Sequence, residues 1–147
     1  MRFFLVFFFS FIYGSIVSQQ VIEDDFEGSG TISGWVGDDC DVDSSFANPY
    51  AQGINTSSRV LKYSDIGGQY ANVRFDLSEN LDFSNNNSFT FKIYVPSSGI
   101  TGNQTNKVSV KLQNGTLAQP WTTQSEIIKY ISLNEWQEIT FDFENDS

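Results

Sequence analysis

The chain has 147 residues, enough for one domain with a real core, and a formal net charge of −10. That sign repels nucleic-acid phosphates and anionic membranes, so neither is an expected partner. The single cysteine, Cys40, rules out an internal disulfide, and the lack of histidine rules out histidine-dependent triads and His-ligated zinc within the chain.

Met1-Arg2 opens with positive charge, Phe3 to Ile12 is apolar apart from Ser10, and small or polar residues follow at Gly14, Ser15 and Ser18. This is the order of a secretory signal peptide, expected to span residues 1–18 with cleavage after Ser18. The apolar run is too short for a ~30 Å hydrocarbon core, which needs about 20 residues. The remaining 19–147 is read as one secreted or cell-surface module, with no segment left to hold it in a membrane.

Beyond the leader, helix signals are scarce. Aromatic and β-branched residues alternate with polar ones between clusters of Gly, Asn, Ser and Asp. The pattern predicts strands near Val21–Phe26, Val42–Phe46, Arg59–Tyr63, Tyr70–Leu77, Ser88–Val95, Lys107–Gln113, Glu126–Ile131 and Trp136–Phe143, with Trp35-Val36 as a short addition. In three of these the period of two is clean. Ala71, Val73, Phe75 and Leu77 share a face, as do Phe89, Phe91, Ile93 and Val95, and as do Val108, Val110 and Leu112. Many short alternating strands predict an all-β antiparallel sandwich of the jelly-roll kind.

Two acidic clusters stand out, Glu23 to Glu27 and Asp38 to Asp43. Calcium needs six to eight oxygen ligands, and Asp25, Glu27, Asp39, Asp41 and Asp43 are the candidates to supply them. Asp39, Asp41 and Asp43 have the spacing of the first EF-hand ligands. Ser44 stands where the turn glycine belongs, however, and Tyr50 where the bidentate glutamate belongs, so the loop is not an EF-hand. A solvated acidic loop and a structural calcium site both remain open.

The polar strand registers hold a second inventory. Arg74, Lys92, Lys111 and Lys129 all lie in predicted strands, with Tyr70, Tyr94 and Gln113 on outward-facing registers. Sugar recognition needs flat rings to stack on pyranose faces, and amides or charges to hold the hydroxyls. Tyr70, Arg74, Lys92, Tyr94, Lys111 and Gln113 are therefore candidates for one carbohydrate-binding patch, with Trp121 in its loop as a further platform. An ordinary wet sheet face is the alternative. Trp35 and Trp136 read as core or core-edge residues.

Catalytic patterns are missing. There is no Glu-x-Asp-x-x-Glu strand and no Gly-x-Ser-x-Gly elbow. Five Asn-x-Ser/Thr sequons start at Asn55, Asn86, Asn103, Asn114 and Asn145, a number that chance explains in a chain this rich in Asn, Ser and Thr.

Asp25-Phe26-Glu27 followed by Trp35, the run from Asn48-Pro49-Tyr50 through Gly53-Ile54-Asn55-Thr56-Ser57 to Tyr63, Lys111-Leu112-Gln113-Asn114, and Trp136 through Phe143 occur in an order with a known likeness. The stretch 22–146 resembles the galactose-binding-like β-jelly-roll modules of secreted proteins from gliding, polysaccharide-degrading bacteria. The resemblance implies a jelly roll, association with carbohydrate, and a calcium near the chain ends. Those modules commonly carry a tryptophan where Tyr70 stands. They also continue past the equivalent of Phe143 to a last strand, so the module is expected to lack that strand and to be part of a longer protein.

The reading is a non-catalytic polysaccharide-binding module, with a β-glucan among the expected ligands. The alternatives are the N-terminal part of a glycoside hydrolase, or an adhesion or sorting module that binds no sugar.

Overall fold

The computed structural model describes residues 21–84 and 86–146. The expected leader lies outside them. Eight strands form in chain order: β1 (Val36–Asp38), β2 (Cys40–Ala47), β3 (Arg59–Asp65), β4 (Asn72–Arg74), β5 (Ser88–Tyr94), β6 (Lys107–Leu112), β7 (Ser125–Tyr130) and β8 (Trp136–Asp142). Two short 3-10 turns, Ser97–Gly99 and Pro120–Thr123, are the helical elements among the described residues. The all-β antiparallel sandwich expected from the alternation is therefore the fold.

Every named pairing is antiparallel, and the pairings nest. β2 pairs with β3 inside the β1–β4 pair, and β6 pairs with β7 inside the β5–β8 pair. The eight strands thus form four antiparallel ladders, grouped along the chain as β1–β4 and β5–β8.

The second unit holds the core. Register pairs Phe89 with Phe141 and Phe91 with Ile139 on one face of β5–β8, and Val110 with Ile127 on one face of β6–β7. These two faces pack together. Ile127, Ile131, Ile139 and Phe141 are buried, and Phe91, Ile93, Val95, Val108, Val110 and Phe143 close around them. Phe141 is fully buried, with the Phe91 ring stacked on it at 5.3 Å and 13°. Phe83, Phe89 and Phe143 extend the layer, with ring centroids 6.0–6.3 Å apart.

The first unit joins this core through a few specific contacts. Tyr50 lies in the β2–β3 connection and stacks on Tyr94 at 4.0 Å, while the Trp136 indole N–H donates to the Tyr50 carbonyl at 2.7 Å. Gln104 donates to the Asp65 carboxylate at 2.9 Å. Within the unit, Trp35 sits between Phe26 and Phe75 and donates its N–H to Asp24 at 2.7 Å.

Three strand expectations need correction. Val21–Phe26 is not a strand. The Asp24 carboxylate takes the Phe26 N–H and the Asp25 carboxylate takes those of Glu27 and Ser29, so side chains replace a ladder. Phe26 and Gly28 then adopt positive φ, 59° and 102°, which turns the chain. The strand expected over Tyr70–Leu77 shrinks to Asn72–Arg74, because its partner β1 is only three residues long. Lys129 does not point outward either. It lies opposite Val108 on the inner register, with its ammonium 5.7 Å from the Phe141 ring centre and paired with Asp146.

Candidate functional site

The seven carbohydrate candidates do not form one patch; they fall on three strand pairs. Tyr70 and Arg74 belong to the turn and strand of the β1–β4 pair, Lys92 and Tyr94 to β5–β8, and Lys111, Gln113 and Trp121 to the β6–β7 hairpin and its loop. The β5–β8 and β6–β7 pairs bury their apolar faces against each other, so their polar faces point to opposite sides.

Arg74 is committed to carboxylates. It pairs with Asp38 and lies 3.4 Å from Asp76, and the hydrogen bond to Asp38 holds its guanidinium pKa above the ordinary value. Tyr70 stands free of that pair, 72% exposed in the turn before β4.

On the outer register of β5–β8, Lys92 lies opposite Glu138, Thr90 opposite Thr140 and Tyr94 opposite Trp136. The Thr90 and Thr140 hydroxyls meet at 2.7 Å. Tyr94 is half-buried between Tyr50 and Trp136, and burial raises its hydroxyl pKa. Its ring therefore serves internal packing. Trp136, read from sequence as core or core-edge, is half-buried beside Tyr94 on this register and fastens the β2–β3 connection to the sandwich.

The outer register of β6–β7 differs. It presents Lys107, Ser109 and Lys111 on β6 against Tyr130, Ile128 and Glu126 on β7. Tyr130 is 71% exposed and Ile128 is 57% exposed. The Lys107 ammonium stands 4.8 Å from the Tyr130 ring centre, a cation–π contact. Lys111 approaches Glu126 at 3.6 Å, and Gln113 donates to Gln124 at 2.8 Å where the loop leaves the strands. Beyond that neck, Pro120–Thr123 forms a 3-10 turn, closed by the Thr122 N–H and hydroxyl on the Gln119 carbonyl, and carries Trp121 at 60% exposure. Tyr130 and Glu126 are four residues apart, about 13 Å at ~3.3 Å per residue, so the strand face is longer than a single sugar ring.

This hairpin brings together three of the seven candidates and adds Tyr130, Ile128 and Lys107. Ile127, Ile128, Tyr130 and Ile131 put apolar residues on both faces of β7. The pairing of Val110 with Ile127 decides which of them are buried. Tyr130 and Lys107 stand at one end of this ladder, and the Gln113–Gln124 amides lie beyond the other.

Three of the five calcium candidates, Asp25, Glu27 and Asp43, are engaged in hydrogen bonds with the chain's own groups. Among the described residues, no three acidic or cysteine side chains group closely enough to hold an ion. Glu27 spends its carboxylate on the Ser58 and Arg59 N–H groups at 2.6 and 2.9 Å and on the Ser58 hydroxyl. Asp25 is taken by its own turn, and Asp43 accepts from the Ser45 N–H and hydroxyl. Asp41 and Asp43 share the exposed register of β2, and Asp39 precedes it at φ 53°. These hydrogen bonds hold the pKa values of Asp25, Glu27 and Asp43 below the usual carboxylate value.

No curated protein and no solved structure matches the chain. A family model described as a carbohydrate binding domain matches residues 18–147. With that match covering the whole β-sandwich and an aromatic, hydrogen-bonding face on its β6–β7 hairpin, the chain belongs to the carbohydrate binding domain family.

Proposed function

We propose that this is a secreted, non-catalytic module that binds a polysaccharide on the outer face of the β6–β7 hairpin. The observation that carries the reading is the concentration of exposed rings and aliphatic surface on one hairpin. Tyr130, Ile128 and Trp121 lie open to solvent while the opposite register of the same strands packs against the core. In this arrangement Tyr130 stacks on the C–H face of a sugar ring, and Trp121 offers a second platform at the loop. Ser109, Lys107, Lys111 and Glu126 hydrogen-bond the hydroxyls. An extended polymer suits a flat, open face better than a small sugar does, because a small ligand needs a concave pocket to bury most of its surface.

The non-catalytic reading rests on the same face. Glycoside hydrolysis needs two carboxyl groups across a cleft, ~5–10 Å apart. The register here presents one, Glu126, beside Lys111. The Phe-rich leader supports secretion.

Affinity electrophoresis against a panel of polysaccharides, β-glucans first, tests the proposal. Wild type is retarded by at least one polymer, and Tyr130→Ala loses most of the retardation. If no polymer retards wild type, the chain is not a polysaccharide binder. If Tyr130→Ala and Trp121→Ala are both retarded like wild type, the hairpin is not the face.

A further inference from the structure

The loop that carries Trp121 begins with Asn114-Gly115-Thr116, and Asn114-Gly115 is the one Asn-Gly step in the sequence. The Asn114 side chain is folded back along its own turn. Its Oδ1 accepts from the Thr116 N–H at 3.0 Å and from the Thr116 hydroxyl at 2.7 Å. The Asn114 carbonyl accepts from the Leu117 N–H at 3.2 Å, which closes the turn. All four residues are exposed, and an added Cβ at Gly115 would meet nothing within 4 Å.

From this geometry we infer that Asn114 is a spontaneous deamidation site that ages the loop of the hairpin. The Gly115 backbone nitrogen attacks the Asn114 side-chain carbon Cγ. The new C–N bond closes a five-membered succinimide, the Gly115 nitrogen gives up its proton, and the Cγ–Nδ2 bond breaks to release ammonia. Water then opens the ring at either carbonyl, leaving aspartate or isoaspartate at 114 with no net oxidation or reduction. Negative charge develops on Oδ1 as the nitrogen attacks, and the two Thr116 donors already aimed at that oxygen stabilise it, as oxyanion-hole donors do. Gly115 leaves the attacking nitrogen without a side chain beside it.

Asn55 provides a control within the same molecule. Its Oδ1 accepts from the Ser57 N–H at 3.2 Å and the Ser57 hydroxyl at 2.7 Å, the same pattern as at Asn114. The residue that follows Asn55 is Thr56, whose β-branched side chain crowds the nitrogen that would attack. The two sites share their donor pattern and differ in the neighbour and in exposure, Asn114 lying open while Asn55 is half-buried.

The product matters because of where it forms. A carboxylate at 114 puts a new negative charge next to the Gln113–Gln124 neck, and isoaspartate lengthens the backbone at the root of the loop holding Trp121. The modification itself does not depend on the sugar-binding reading.

The test is to incubate the purified protein at mildly alkaline pH and follow peptides spanning 114 and 55 by mass spectrometry. Isoaspartyl methyltransferase labelling then identifies the isomer. Acid and isoaspartate accumulate at 114 while Asn55 keeps its amide. Gly115→Ala, which the open space around Gly115 accommodates, slows conversion by about tenfold, equivalent to about 1.4 kcal/mol of barrier. Equal amide retention at Asn114 and Asn55 in the wild-type protein overturns the inference. So does a folded Gly115→Ala protein that converts as fast as wild type.

Discussion

Tyr94 and Tyr130 are both tyrosines on strand registers turned away from the core, yet the structure uses them differently. Tyr94 has a ring on one side at 4.0 Å and an indole on the other at 5.6 Å, whereas Tyr130 keeps 71% of its surface exposed under a single lysine. Tyr130→Ala should therefore cost binding with little change in stability. If its stack on a sugar is worth ~0.5–1.5 kcal/mol, as ring–ring contacts are, affinity falls by about two- to tenfold. Tyr94→Ala should do the reverse, lowering the denaturation midpoint because it releases Tyr50 and with it the β2–β3 connection. Paired affinity electrophoresis and urea melts separate the two; equal binding losses at both positions would refute the division. The residue the fold can least spare is Phe141, fully buried against Phe91. Phe141→Ala should cost ~3–5 kcal/mol, since the cavity adds to the lost transfer energy. Against a stability of ~5–15 kcal/mol, that is a large share of the total. A cooperative urea transition that moves by less than a third of this would show that the sandwich does not rest on that ring.

At the scale of the element, legibility followed the pleat. β5 and β6 were readable because their alternation is unbroken, and the structure packs the expected registers, Phe91 and Ile93 on one and Val108 and Val110 on the other, half-buried against the core. β7 was readable as a strand but not as a face, because apolar residues fall on both registers and only pairing with β6 assigns them. Tyr130 and Ile128 were missed as site residues for that reason. The segment Val21–Phe26 misled for a different reason: Val21, Ile22 and Phe26 are strand-forming residue types, but Asp24 and Asp25 capture backbone N–H groups that a ladder would use. What fixes this segment is Glu27, whose carboxylate reaches across to Ser58 and Arg59 at the start of β3, with Thr31 bonded back to Glu23 at 2.7 Å. Glu27→Ala removes that tether while leaving the β5–β8 core untouched. The expected result is faster limited proteolysis within 21–31 and a lower melting temperature, with the fragment from Val36 onward still resistant. A cleavage pattern identical to wild type would mean the tether carries no stability.

For the whole molecule, acid sets two effects against each other. At neutral pH the chain carries a formal −10, and protonating carboxylates relieves that self-repulsion, which favours the compact state. The same protons remove the hydrogen bonds that hold the chain's turns and ends in place. Asp25, Glu27, Asp43 and Asp82 accept from turn N–H groups or hydroxyls, Asp142 accepts from Asn145 and Glu144, and Asp146 pairs with Lys129; all six have pKa values below the ordinary carboxylate value. A group whose folded pKa is depressed binds its proton more readily in the unfolded chain. Its contribution is therefore complete above the unfolded pKa, about 4, and is lost as pH falls through the lower folded value. Repulsion among exposed charges further apart than about 8 Å is largely screened at physiological ionic strength, whereas these contacts are short-range. The local losses should therefore dominate in salt. Melting temperature is expected to be nearly flat from neutral pH down to about 5, then to fall as pH drops below about 4. Glu27→Gln should flatten part of that fall, because the glutamine at 27 has no proton to take up in this range. Thermal melts of both proteins across this range at fixed ionic strength decide the matter. Stability that rises on acidification below pH ~4 would mean that repulsion, not the anchored carboxylates, governs the acid side of the curve.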